Sequence, residues 1–375
     1  MTIMKYILSP CGTSLLTNKA NTDERSLVFK YANEKRKEDI PKKDRIKLEK
    51  LINNVSNSLQ KANNQEARRM SAELNGIIQI YNGKIKNKVK NETKTNHDFH
   101  LLLSTDTWLG EETAKLVKSW LEHHNLTVVI HRQIDLQTSE ISSFQLSLSE
   151  LIKKLSQEIP EYSKKGYYII FNLTGGFKSV QGFLQSIANF YADETVYIFE
   201  TSSELLRIPK LPIRLDALPI IEKHINEFRK LSLGIKVDQN QINDIPETLL
   251  FTVDEQTTLS AWGELLWEET KKELYKKELF PSPIRKIKYS KRFIDDVSNL
   301  APDRISLVNK KIDQLTEYFI KGINLNSLDL KPLKGKPMKT STHELDAWSD
   351  KDAKRIFGHF EGEIFVLDKL DKGLH

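Results

Sequence analysis

Three stretches rich in small and hydroxylated residues stand where predicted strands end and helices begin. They are Cys11-Gly12-Thr13-Ser14-Leu15, Ser104-Thr105-Asp106-Thr107 and Thr174-Gly175-Gly176-Phe177-Lys178-Ser179. Glycine lets a backbone approach a ligand closely, and the free N–H groups of a helix start attract phosphate. Lys178 adds a point charge for an anion, and Thr13, Thr105, Thr174 and Ser179 offer hydroxyls to ribose or phosphate oxygens. The chemistry is that of a nucleotide ligand. The same glycines also suit ordinary, closely packed strand–helix turns, and the residues alone leave both readings open.

A second set lies near the C-terminus. Lys334 and Lys336 are two apart, so an extended segment projects them to one side. Arg355 and His359 are four apart on a predicted strand, again on one face, with Phe357 between them, and Lys369, Lys372 and His375 close the chain. Such a face can cleave RNA without metal: a base takes the proton of the ribose 2′-OH, cations stabilise the phosphorane-like transition state, and an acid protonates the leaving 5′-oxygen. A metal-dependent nuclease gathers carboxylates instead. Asp346, Asp350 and Asp352 are spaced around a turn and read as a solvated loop, so no metal and no cofactor are expected. A basic sheet surface that only binds RNA or a partner protein is the other reading.

The elements that must position these residues change character along the chain. Lys5 to Ser9 predicts a strand, and helical spacing over residues 22–83 (Leu48, Leu51, Ile52, Val55, Leu59; Leu74, Ile77, Ile78, Tyr81) predicts two or three helices. Residues 84–97 read as a Lys/Asn-rich exposed loop. Strands over 99–103, 127–131, 167–172 and 194–199 then alternate with helices over 111–123, 146–158 and 180–191. That order predicts a parallel sheet with helices on both faces and a ligand beyond the carboxyl ends of the strands. Residues 212–280 read as helical and connective, and Pro281-Ser282-Pro283 as a hinge. The last segment predicts a short strand over 284–288, two helices, the second over 303–319, and an antiparallel meander over 329–333, 344–349, 353–359 and 363–368.

Composition narrows the class. With 375 residues, 39% hydrophobic and 29% charged, two or three soluble domains are expected. No apolar run is long enough for a membrane span, and Tyr6-Ile7-Leu8 is too short for a signal peptide, so the expected location is the cytoplasm. One cysteine excludes an internal disulfide and a Cys-based zinc site. The net charge of +6 is uneven: residues 20–98 hold 18 Lys/Arg against 11 Asp/Glu, and residues 284–375 hold 18 against 14. Two basic segments therefore flank a mildly acidic body, a pattern suited to a polyanion partner or to solvated helices.

The N-terminal pattern resembles the CRISPR-associated Rossmann-fold (CARF) sensor domains, in particular their APE2256-like branch. The resemblance lies in SPCGTSLLTN at the start, AELNGI at 72–77, LLSTDTWLGEETAKLV at 102–117 and NLTGGFKS at 172–179. It implies a homodimer that binds a cyclic oligoadenylate made by a type III CRISPR complex, with cyclic tetra-adenylate the default because four-fold symmetry contains two-fold. The implied contacts are Cys11, Gly12, Thr13, Ser14, Ser104, Thr105, Asp106 and Thr174 to Ser179, including Gly175, Gly176, Phe177 and Lys178.

The C-terminal segment resembles the RelE/ParE toxin superfamily through YSKRFIDDVSNL at 289–300, LDLKPLKGKP at 328–337 and ELDAWSDKDAKRIFGHFEGEIFVLDKLDKGLH at 344–375. In mRNA interferases of that superfamily the chemistry falls on positions that match Lys331, Lys334, Lys336 and Arg355 here. The Arg of the preceding strand is replaced around Asp346 or Ala347, and the C-terminal Tyr has no match, which leaves His359 or His375 as substitutes.

The combined expectation is an α/β Rossmann-like CARF domain over 1–200 with a helical insertion over about 20–98, a helical connector over 201–283 and a small α+β RelE-like domain over 284–375. Its function is ligand-activated, metal-independent cleavage of mRNA in the ribosomal A site. A ligand-responsive regulator, a toxin of a non-nuclease target and a sensor that cuts its own ligand are the alternatives. A DNA partner is not expected, because a helix-turn-helix module ends in a recognition helix and this chain ends in strands.

Overall fold

The computed structural model describes residues 3–85, 97–137, 140–199, 204–212, 217–335 and 339–373. The chain divides into two compact units, Met1–Arg214 and Leu215–His375.

The first unit is built on a six-stranded sheet of β1 (Lys5–Cys11), β2 (Phe99–Ser104), β3 (Thr127–Arg132), β4 (Tyr168–Asn172), β5 (Glu194–Tyr197) and β6 (Leu206–Pro209), in the order β3-β2-β1-β4-β5-β6. The first five run parallel, and β6, which the sequence did not suggest, pairs antiparallel at the edge. Tyr6, Ile7 and Leu8 are fully buried, as suits a central strand covered on both faces. This mixed α/β architecture fits the expected Rossmann-like domain.

Six of its helices are α1 (Ser14–Thr17), α2 (Thr22–Lys30), α3 (Lys42–Lys61), α4 (Asn64–Met70), α5 (Ala72–Ile80) and α6 (Trp108–His123). Among the described residues the insertion before β2 holds four α-helices, α2 to α5, instead of two or three. Asn21, Asn63 and Ser71 each cap a helix start with a side-chain oxygen, so polar caps divide the segment more finely than apolar spacing shows. Leu48, Leu51 and Val55 of α3 join Trp120 and Leu121 of α6 in one core. Helix α7 (Ile141–Lys164) outruns its expected span at both ends. Its first turns are too polar to show a period, and Pro160, which reads as a stop, lies inside the helix. Helix α8 (Lys178–Tyr191) starts two residues earlier than expected.

In the second unit, residues 217–280, expected as a helical connector, carry a core of their own. Helices α9 (Leu218–Lys223), α10 (Ile225–Ser232), α11 (Gln239–Ile242) and α12 (Ala261–Lys277) form a core around Phe228, Trp267, Leu274 and Tyr275. They include a hairpin of β7 (Leu250–Val253) and β8 (Gln256–Leu259), which the sequence did not suggest because its turn, Asp254-Glu255, takes positive φ at both residues without glycine. Arg229 of α10, fully buried, donates to Asp313 of the C-terminal segment, and Asn309 Nδ2 donates to the Tyr275 and Glu278 carbonyls. These bonds tie residues 217–280 to the C-terminal segment.

That segment begins with β9 (Ile287–Tyr289), α13 (Lys291–Ser298) and α14 (Pro302–Lys321), which precede β10 (Lys331–Pro332), β11 (His343–Trp348), β12 (Lys354–Glu361) and β13 (Ile364–Lys372). The sheet order is β10-β11-β12-β13-β9, antiparallel except for β9 beside β13. Leu345, Ile356 and Leu367 face α14 through Ile305, Val308 and Ile312. β10 is shorter than expected. Lys334 and Gly335 form a turn, Gly335 at φ 73°, so Lys334 does not lie on an extended segment. Lys336 and His375 lie outside the described residues.

Candidate functional site

In the first unit, Cys11 and Ser104 are register partners, so β1 and β2 end flush and deliver their loops to the same edge. A Cβ on Gly12 would lie 3.3 Å from Gly176 Cα, and one on Gly176, which has φ 97°, would lie 2.8 Å from the Pro10 ring. The first and third loops are thus in close backbone approach, and Gly176 is required there, while a side chain on Gly12 would have to push its neighbour back by a few tenths of an ångström. Lys178 and Ser179 are exposed in the first turn of α8, and Phe177 is its N-cap residue. Thr107 caps α6, accepting from Gly110 N–H at 3.2 Å, and its hydroxyl meets that of Thr105 at 3.0 Å. A hollow beside this edge is lined by Thr105, Thr107, Leu136, Phe144, Phe177 and Asn33. Thr13 precedes α1 without a side-chain capping bond, and the Thr174 hydroxyl is buried with no hydrogen-bond partner among the described residues.

Other expected contacts are occupied within the protein. Cys11 is buried, its Sγ against the Ser9 carbonyl, and burial followed by the nearby Glu73 charge pushes its thiol pKa well up. Ser104 Oγ donates to the Thr105 carbonyl. Asp106 accepts from Arg132 Nε at 2.9 Å and Asp135 N–H at 3.0 Å, with Lys35 at 3.2 Å. Burial opposes its ionisation, but these donors, the Asp135 N–H foremost, hold its carboxyl below the usual range. Asp106 therefore braces the loop.

The residue that sequence reasoning missed is Glu73. It is completely buried in the first turn of α5, and its carboxylate accepts from Gly12 N–H (2.9 Å), Ser14 Oγ (2.8 Å) and Ser71 Oγ (2.6 Å). A Cβ on Gly175 would fall 2.4 Å from its carboxyl carbon. Its backbone carbonyl accepts from Asn172 Nδ2, which also donates to Ser9 Oγ. The Glu73 carboxylate thus anchors the Gly12–Ser14 loop and lies against Gly175 of the third loop. The available signal was an acidic residue in the first turn after a Ser cap, just before the apolar positions Leu74, Ile77 and Ile78.

In the second unit, the sheet face away from α14 carries Lys331, Arg355, His359 and Lys369, and a carboxylate accompanies each of these four. Asp346 pairs with Arg355 in strand register, its Oδ1 2.6 Å from Arg355 Nη1. Asp329 Oδ2 accepts from Arg355 Nη1 at 3.0 Å and from Lys331 Nζ at 2.5 Å, and Glu344 lies 3.9 Å from Lys331. The expected basic face without carboxylates is instead a mixed-charge one. Asp346 belongs to it, not to a solvated loop; Asp350 does lie in the turn, paired with Arg304. Lys369 pairs with Asp371.

His359 Nδ1 lies 2.9 Å from both Asp368 oxygens, and that hydrogen bond raises its pKa against the pull of burial. Four residues along a strand separate its Cα from that of Arg355 by about 13 Å. Each side chain is held by its own carboxylates, so the structure does not bring the two together. A cation the sequence did not single out, Lys311 of α14, donates to the Ser327 carbonyl; its burial lowers its pKa, with Asp346 opposing.

No curated protein matches the chain. Residues 68–211 match the family model described as CRISPR-associated protein (Cas_APE2256). The match takes in Glu73, the Ser104–Thr107 loop, the Thr174–Ser179 loop and strands β2 to β6. Residues 68–211, under half of the chain, are thus similar to a CARF-type CRISPR-associated domain.

Proposed function

We propose that the chain is a type III CRISPR ancillary effector in which a cyclic oligoadenylate, by default cyclic tetra-adenylate, binds a homodimer of the first unit and activates RNA cleavage by the second. The observation that carries this reading is the close backbone approach of the Gly12 and Gly176 loops, with Lys178 in the first turn of α8 at the carboxyl edge of a parallel sheet. That arrangement offers N–H groups and a cation to phosphate oxygens at the place where open α/β sheets take ligands.

The second unit acts on mRNA in the ribosomal A site of a cytoplasmic ribosome. The attacking ribose 2′-oxygen gives up its proton and bonds to phosphorus, the bond to the 5′-oxygen breaks, and that oxygen takes a proton. The products are a 2′,3′-cyclic phosphate and a 5′-hydroxyl. Arg355 and Lys331 stabilise the charge that builds on the phosphate oxygens, and the ribosome supplies the alignment. The test is mapping of mRNA ends after incubation with translating ribosomes, with and without each cyclic oligoadenylate. Arg355→Ala is expected to lower cleavage roughly 10²–10³-fold. Cleavage that leaves a 5′-phosphate, or an Arg355→Ala variant that cuts at the normal rate, refutes the reading.

A second activity, slow cutting of the cyclic ligand, is favoured by one observation: Ser14 Oγ donates to the buried Glu73 carboxylate at 2.8 Å, beside the loop that carries Lys178. Hydroxyl, base and cation are the parts that a phosphodiester cleavage site uses.

A further inference from the structure

Three carboxylates surround the two cations on the sheet face of the second unit that carries Arg355: Asp329, Glu344 and Asp346 around Lys331 and Arg355. An RNA phosphate approaching this face meets cations whose charge is already satisfied. Asp329 stands apart from the other two because it comes from a loop, not from a neighbouring strand. Its backbone takes φ 48°, a left-handed conformation that few residues except Gly, Asn and Asp adopt readily. The loop is tied down: Asp329 N–H donates to the Leu325 carbonyl at 3.0 Å, and the Asn324 amide bridges both backbone groups of Leu330 at 3.2 and 2.8 Å. The backbone therefore aims this carboxylate at Arg355 and Lys331.

A carboxylate presents two anionic oxygens to a guanidinium much as a phosphodiester presents its two non-bridging oxygens. We propose that Asp329 is a built-in competitor of the substrate, its carboxylate occupying the place of an RNA phosphate against Arg355 and Lys331 until the loop releases them. The identification of the competing ligand as RNA rests on the nuclease reading. Lys331 and Arg355 hold the Asp329 carboxyl below the usual range, so neutralisation at physiological pH does not free the cations. Release comes by exchange of one anion for another, or by movement of the Leu325–Leu330 loop.

The experiment measures binding of a short fluorescein-labelled single-stranded RNA to the full chain by anisotropy, without ribosomes and without activator. Asp329→Asn keeps the shape and the left-handed backbone but removes the charge. It is expected to tighten RNA binding about tenfold, Asp346→Asn is expected to change affinity in the same direction, and Asp329→Asn/Arg355→Ala is expected to lose the gain. Thermal melts check that each variant is folded, and Asp329→Gly, which also removes the charge and adopts the left-handed backbone freely, decides the matter if Asp329→Asn is unstable. RNA binding that is unchanged or weaker in the folded variants, or a gain that survives Arg355→Ala, overturns the proposal. Cleavage assays on ribosomes run in parallel: a chain that never cuts mRNA defeats the nuclease reading, while the anisotropy still judges the role of Asp329.

Discussion

Arg229 offers the sharpest test of how the second unit is held together. Its side chain is fully buried, and Asp313 is 17% exposed. Arg229 Nε and Nη2 donate to Asp313 Oδ1 at 3.0 and 2.7 Å, Nη1 donates to the Pro281 carbonyl, and Tyr275 OH donates to the other Asp313 oxygen. Arg229→Ala leaves Asp313 with a hydroxyl in place of a guanidinium, strips the Pro281 carbonyl of this donor and opens a cavity beside Tyr275. Removing one partner of a buried pair costs about 3–5 kcal/mol. In a unit of this size that lowers the midpoint by on the order of 10 °C. Scanning calorimetry of the full chain reads this as a shift of one transition, with the other, belonging to the first unit, unmoved. Arg229→Met/Asp313→Leu removes both charges and is expected to cost far less than Arg229→Ala, because no uncompensated charge stays buried. A single variant that shifts the midpoint by only a degree or two, or a double variant no better than the single, refutes the argument that this pair joins residues 217–280 to the C-terminal segment.

Gly175→Ala places a Cβ 2.4 Å from the Glu73 carboxyl, which its three donors hold in place; the variant is expected to lose cyclic oligoadenylate binding in calorimetry, and normal affinity would show that the loop can shift. Gly182→Ala in α8 meets nothing within 4 Å and is expected to raise stability by roughly 0.5–1 kcal/mol, read by denaturant titration. Burial, reinforced by the Lys5 ammonium, pushes the His100 imidazole down to about 3, so the folded form keeps it neutral. Its contribution is present above the unfolded value near 6.5 and is lost as pH falls toward 3, at roughly 1.4 kcal/mol per pH unit. His100→Asn is expected to flatten that acid slope in pH-dependent melts, and an unchanged slope would place its origin elsewhere.

Residue types and spacing by themselves determined the alternation of strands and helices over 99–197, the glycine loops at the strand ends and the helices-then-meander order of the C-terminal segment. These come from local periodicity and turn chemistry, which lie within a few residues of one another. The insertion was legible as helical from Leu48, Leu51 and Val55, but its division was not, since the caps at Asn21, Asn63 and Ser71 act through single side-chain bonds. The hairpin at Asp254-Glu255 and the turn at Lys334-Gly335 depended on backbone angles that composition does not encode uniquely. Only the tertiary structure decided the sites. Glu73 meets Gly12 from 61 positions away, Arg229 meets Asp313 across 84, and Asp346 faces Arg355 because antiparallel register places it there. Charge partners are set by which backbones come side by side. A lysine or arginine that reads as a free cation in the sequence becomes a neutralised one once strand register and a left-handed loop at Asp329 bring carboxylates within bonding distance.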